Sequence, residues 1–254
     1  MHLKTHMLFA EAASRAAGLI ETETEAFVKG NCAPDEERAL VAEMHNIVGD
    51  WQEALGSNLN WGVEHGPQAY SRFEQCMGMA LKTGAYDRAK ALDLMGRAAH
   101  YVLDLGTPFH TISAQDVVSK VSQAITKGAN PMECITAGVN YATMAMGQFH
   151  SEYELIVYEL VERERDALFA TFRDIPLQPW SYEELVARTK ELEHYAKYLL
   201  DVMMNTLQIE DLGNLGFLRF PRLNVDVIDG SYRGILGRVS KIFTGMLSIL
   251  AQSK

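Results

Sequence analysis

The chain has 254 residues, 48% hydrophobic and 22% charged, with a net charge of −10 at pH 7. These values fit a soluble globular protein large enough to bury a core. They argue against nucleic acid as a general partner, because phosphate backbones are held by basic surfaces.

No apolar run reaches the roughly 18 residues of a membrane span, and the N-terminal segment lacks the apolar core of a secretory signal. Cys32, Cys76 and Cys134 are widely spaced and form no CxxC. They read as buried thiols of a reducing, cytoplasmic compartment. Apolar residues recurring at helical spacing predict helices over about 4–28, 34–56, 67–84, 87–106, 114–127, 131–168, 181–209 and 232–251. Pro34, followed by acids in "APDEERAL", marks a helix start, and Ser181 with Glu184 in "WSYEEL" forms a capping box. The stretch 210–230 reads as irregular, with room for a short strand or an extended arm. With no repeat and no domain boundary, residues 1–254 are expected to form one all-α domain.

The segment 232–251 is a basic amphipathic helix. Ile235, Val239, Ile242, Phe243, Met246 and Leu250 share its apolar face, and Arg233, Arg238 and Lys241 lie elsewhere. Such a helix either packs on its own domain or a dimer partner, or makes a peripheral membrane contact.

The stretch "HYVLDLGTPFH", residues 100–110, places His100 and Asp104 four apart on one helical face, with Pro108 ending the helix and His110 in the turn beyond. His150 and Glu154 in "HSEYE" repeat the spacing. Each pair alone fits either a satisfied core histidine or a cation site. Together, histidines and carboxylates without a thiolate suit a catalytic rather than a structural zinc.

These residues resemble the zinc-dependent phospholipase C and S1-P1 nuclease superfamily. "HYVLDLGTPFH" is similar to its HYxGDxxQPxH-type signature, and "HSEYE" to its next ligand pair. "GDWQEALGSNLNWGVEH" resembles the segment in which an aspartate and an aromatic precede a histidine, here Asp50, Trp51 and His65. "THMLFAEAASRA" resembles the first helix, opening on His6. The resemblance spans most of 1–155 and implies an all-α fold around up to three zinc ions. It assigns Asp50, His65, His100 and Asp104 to one zinc and His110, His150 and Glu154 to a second. His6 and the other oxygen of Asp104 go to the third, which Met1 completes through its amine and carbonyl, or His2 in its place, or which is a weak site.

The same resemblance makes Asp50 the residue that orients or deprotonates the attacking water. Paired cations supply the Lewis acidity for hydrolysing a phosphodiester. Glu154, in place of an aspartate, points to the phospholipase branch, with Trp51 and Trp61 as candidate headgroup-binding aromatics. Related enzymes are often secreted, against the cysteine reading. Leu103 and Thr107 depart from the family's Gly and Gln, and an insert at 112–148 separates His110 from His150. The expected substrate is a phospholipid headgroup ester. The alternatives are the same metal cluster acting on a nucleotide, another phosphate ester or a specialised metabolite, and a non-enzymatic membrane- or partner-binding helical module.

Overall fold

The computed structural model describes residues 2–40, 67–112, 114–143, 149–177, 180–206, 223 and 225–252, and among them every regular element is helical. In order these are α1 (Leu3–Ala16), α2 (Glu21–Leu40), α3 (Pro67–Thr83), α4 (Arg88–Leu105) and a 3-10 turn (Pro108–Thr111). Then come α5 (Ala114–Thr126), α6 (Pro131–Thr143), α7 (His150–Arg163), α8 (Arg165–Arg173), α9 (Tyr182–Thr206) and α10 (Val225–Gln252). The all-α expectation holds for these residues.

Several boundaries differ from the periodicity reading. The expected helix 4–28 ends at Ala16, because Gly18 takes φ 67° and the amides of Gly18 and Leu19 return to the carbonyls of Arg15 and Ser14. A left-handed glycine closing a helix in this way satisfies carbonyls the helix leaves open. The next helix starts at Glu21, and Pro34 lies inside it rather than opening it. Pro34 still costs α2 one backbone donor. The long helix 131–168 is divided, with Glu164 (φ −107°, ψ 27°) between α7 and α8. Helix also covers 225–230, where an irregular segment is expected. The Ser181 cap is present, its hydroxyl accepting the Glu184 amide at 3.1 Å.

The central element is α4, flanked by α2 and α3, with α1, α9 and α10 also against it. Its buried residues run from Ala91 through Leu105, including Leu92, Met95, Ala98, Ala99 and Val102. Burying each large apolar side chain contributes about 1.5–3 kcal/mol before the entropy of ordering it. Leu103 is fully buried in this core. Thr107 is buried too, its hydroxyl donating to the Leu103 carbonyl at 2.9 Å. Edge-to-face ring pairs tie the layers together: Phe9 of α1 on Phe172 of α8 at 6.0 Å, and Phe27 of α2 on Phe243 of α10 at 6.3 Å.

The α2–α4 crossing depends on two glycines. A Cβ at Gly96 would stand 2.2 Å from the Phe27 carbonyl oxygen, and one at Gly30 2.0 Å from that of Asp93. Neither neighbour can yield, because both are backbone. We expect Gly96→Ala to lower unfolding stability by about 1–3 kcal/mol, read as the urea midpoint. An unchanged midpoint would contradict this contact.

The face of 232–251 that could meet a membrane is instead core: Ile235, Val239, Ile242, Phe243 and Met246 are buried. Helix α10 is long and apolar enough to cross a membrane by length and composition, contrary to the sequence expectation, but 67% of its most apolar window is buried inside the protein. The buried hydroxyls of Ser240 and Thr244 donate to the carbonyls of Leu236 and Ser240 one turn back, so they enter the core satisfied. Arg233, Arg238 and Lys241 remain on the exposed edge. Cys32, Cys76 and Cys134 are free thiols; Cys32 and Cys134 are buried, whereas Cys76 is half-buried.

Candidate metal centre

Five elements bring their polar residues to one place. Helix α1 supplies His6, α2 supplies Asn31 and Asp35, α4 supplies His100 and Asp104, the 3-10 turn supplies His110, and α7 supplies His150 and Glu154. The spacing of four puts each of the pairs His100/Asp104 and His150/Glu154 on one helical face. Pro108 starts the 3-10 turn directly after α4 and returns His110 to that face.

Asp104 is the hub. Its Oδ2 lies 3.1 Å from His100 Nε2, and its Oδ1 lies 3.5 Å from His6 Nε2 and 3.2 Å from His110 Nδ1. His6 and His100 are fully buried and Asp104 is 2% exposed. The rings of His6 and His100 stack with centroids 4.0 Å apart. A second group forms around Glu154 Oε1, which is 2.9 Å from His150 Nε2 and 3.3 Å from His110 Nε2, the two ring nitrogens being 2.6 Å apart. The side chains of His150 and Glu154 are 22% and 19% exposed, so solvent reaches this group and not the first.

The protonation of His100 is fixed from behind. Its Nδ1 lies 2.9 Å from the Asn31 carbonyl oxygen. A carbonyl only accepts, so Nδ1 carries a proton, and in the neutral ring Nε2 presents a lone pair. That lone pair faces Asp104 Oδ2, with Asp35 Oδ1 3.9 Å away. Acceptors turned towards one another need a positive charge between them, a proton or a cation. The close approach at Gly30 and Gly96 is what brings the Asn31 carbonyl within reach of the ring.

Electrostatics divide the histidines. Burial, reinforced by His100 and opposed by Asp104, depresses His6 to about 4, so it is neutral near pH 7. Burial also lowers His150, with His110 adding to the effect and the Glu154 hydrogen bond opposing it. His100 moves up: burial opposes this, but the charges of Asp104 and Asp35 outweigh it. Asp35 is held below the usual carboxylate value, the positive influence of His100 and His6 overcoming burial.

The two groups, His6/His100/Asp104 and His110/His150/Glu154, each place one donor atom per residue within 4.8 Å of the others. Donors bound at about 2.0 Å to one tetrahedral zinc sit roughly 3.3 Å apart, so the 2.9–3.5 Å separations between carboxylate and imidazole fit such an ion. The Asn31 carbonyl behind His100 and the Asp104 carboxylate at His110 Nδ1 orient rings in the manner of metal-binding histidines.

Six of the residues singled out in sequence are thus gathered: His6, His100, Asp104, His110, His150 and Glu154. Met1, Asp50, Trp51, Trp61 and His65 lie outside the described residues. His2, the alternative to Met1, is engaged elsewhere: its Nδ1 accepts the Lys4 amide at 3.3 Å at the start of α1, and its ring stacks on Tyr158 at 4.6 Å. Asp35 and Asn31 are the residues that sequence reasoning missed. Reading "APDEER" as a helix start took Asp35 for a first-turn acid, and nothing in the local sequence marks Asn31.

Comparison with known proteins yields no matching family model, no matching curated protein and no matching solved structure.

Proposed function

We propose that this chain is a zinc-dependent phosphodiesterase of phospholipase C type, with the fold of the phospholipase C and P1 nuclease superfamily, cleaving a phospholipid between glycerol and phosphate. The observation that carries this reading is His100. Its buried ring is locked by the Asn31 carbonyl so that Nε2 faces two carboxylates, the buried Asp104 and the partly exposed Asp35. His110/His150/Glu154 would hold one ion; His6/His100/Asp104 lie close enough to share another, where the resemblance divides His6 from His100 between two, with Asp35 beside them and Asp50, His65 and Met1 as the further ligands that it implies. Bound zinc supplies Lewis acidity towards phosphoryl oxygens and lowers the pKa of water towards neutrality.

The chain's own groups do the rest. Asp104 keeps the imidazole of His110 turned so that Nε2 serves the solvent-reached group. Asp35 stays ionised 3.9 Å from His100 Nε2, where its charge would help hold a cation, and Asp50, as the resemblance implies, would orient or deprotonate the attacking water. In the net reaction a water oxygen bonds to phosphorus, the bond from phosphorus to the glycerol oxygen breaks, and that oxygen takes up a proton. The exposed edge at His150 and Glu154 is where an ester too large for the buried pocket would enter.

Metal analysis of the purified protein tests the centre, with two to three zinc ions per chain expected. A metal-free protein whose folding ignores chelators would overturn it. Hydrolysis of dispersed phosphatidylcholine, set against single-stranded nucleic acid and a soluble phosphodiester, tests the substrate. Preference for nucleic acid or for the soluble ester alone would move the activity to the nucleotide or small-ester reading.

A further inference from the structure

The basic residues of α10 are not explained by the core that buries its apolar face. Arg233, Arg238 and Lys241, on its exposed edge, border a cavity of about 840 Å³ that α9 and the residues Asp174, Pro176 and Trp180 also line. That volume suits a small molecule, and no residue of the metal centre takes part in it. The floor is one face of α10. Gly234, Gly237, Arg238, Lys241 and Gly245 recur at helical spacing and so point the same way.

The glycines on this face do different things. A Cβ at Gly234 would stand 2.2 Å from Tyr195 Oη, and one at Gly245 2.4 Å from Trp180 Cε3, so both rings are seated directly on the α10 backbone. A Cβ at Gly237, between them, would meet nothing within 4 Å. The cavity is open there, over bare backbone. Its charges are unequally committed. Arg188 pairs with Glu191 at 2.9 Å, Arg233 with Asp229 and Glu164 at 3.0 Å each, and Asp174 with Arg173 at 3.1 Å. Glu184 is the lining carboxylate left over, whereas Arg238 and Lys241 have no carboxylate partner among the described residues. Arg238 is nonetheless held in place. Its guanidinium lies 3.7 Å over the Tyr195 ring and its Nη1 donates to the Gly234 carbonyl at 3.0 Å. A guanidinium fixed by a ring face and one N–H keeps its other donors for an anion and loses little freedom on binding it.

We infer that this cavity binds a small aromatic anion, a planar ring carrying a phosphate or a carboxylate, with the ring against Trp180 and the charge between Arg238 and Lys241. Trp180 is half-buried and fixed by its seat on Gly245, so it offers a flat apolar wall at little entropic cost. The helical rise sets Gly245 about 6 Å from Lys241 and about 10 Å from Arg238 along α10, a span that a molecule of nucleotide size covers. The two uncommitted cations stand on a chain whose net charge is −10, so the attraction to an anion is local to this edge. Because the cavity and the metal centre share no residue, the inference stands apart from the phosphodiesterase reading.

The test is titration calorimetry of the full chain with AMP and with 2-naphthoate, each set against its neutral analogue, adenosine or 2-naphthamide. At least one anion is expected to bind about tenfold or more tightly than its analogue; AMP alone would name a phosphate ligand and 2-naphthoate alone a carboxylate. The double variant Arg238→Gln/Lys241→Gln should erase that margin. In a separate protein, Gly237→Leu puts a side chain into the open part of the cavity and should weaken anion and neutral analogue alike, while leucine favours the helix over glycine. Zinc content and the urea midpoint are measured beside both variants and should not move. Binding that survives both variants, or that is lost only when zinc is chelated, would put the anion at the metal centre and overturn the inference. So would a parent protein that binds neither anion, or one that binds the neutral analogues as tightly. A protein that passes this test yet holds no zinc and cleaves no ester would sink the proposed activity and leave this site standing.

Discussion

Replacing Asp104 by asparagine is expected to remove bound zinc from the first group, weaken it in the second, and lower phosphodiester hydrolysis by about 10³-fold or more. Asparagine preserves size and one oxygen but supplies no charge. Among the described residues, Asp104 is the one carboxylate within ion-pair distance of three imidazoles, those of His6, His100 and His110. Losing it leaves His100 facing only Asp35, 3.9 Å away, and frees the ring of His110 to turn, so the second group is loosened as well as the first. A factor of 10³ corresponds to about 4 kcal/mol of transition-state stabilisation, within what a metal centre supplies to phosphoryl chemistry. Zinc stoichiometry by elemental analysis is read beside the initial rate. Full zinc occupancy with undiminished hydrolysis in Asp104→Asn would remove Asp104 from the centre. Asp35→Asn is the companion variant, expected to weaken zinc binding at the first group less than Asp104→Asn does; unchanged zinc affinity would remove Asp35 from the centre.

The second large effect is the acid sensitivity of the metal-stripped protein. An unfolded histidine takes up a proton near pH 6.5, whereas folded His6 stays neutral down to about pH 4. Between these limits the unfolded chain binds more protons. Stability from His6 is therefore fully present above about pH 6.5 and is lost as the pH falls towards 4. The gap is worth about 3 kcal/mol at most. His150, also depressed, works in the same direction, and His100, whose proton is retained, works against both. Urea midpoints measured in chelator from pH 7.5 to 4 should fall, and His6→Asn should flatten that fall. With zinc present the dependence should steepen, because imidazoles must release their protons to hold the ion. A parent midpoint that is flat across the window would refute the burial of a neutral His6.

Much of the candidate site was legible because helices turn sequence spacing into geometry. His100/Asp104 and His150/Glu154 are four apart, so a single period places each pair, and Pro108 announces the turn that brings His110 back. Asp35 and Asn31 were not legible, since their roles come from a crossing of α2 over α4 that only Gly30 and Gly96 allow. Nothing in the local sequence distinguishes those glycines from any others. The helix breaks at Gly18 and Glu164 were missed for a related reason: apolar periodicity continues through both, while the backbone does not.

By itself, then, the sequence determined an all-helical chain with two histidine–carboxylate pairs, and an amphipathic C-terminal helix whose destination it left open. Helical period and ligand chemistry are local properties, readable residue by residue. Tertiary structure decided which surface that last helix meets, burying its apolar face against α9 and the helices around α4. It also drew His6, His100, Asp104, His110, His150 and Glu154 from four separate elements into one centre, and left the basic edge of α10 beside a cavity. These are matters of which faces find partners, and burial is settled by the whole chain competing for one core rather than by any segment alone.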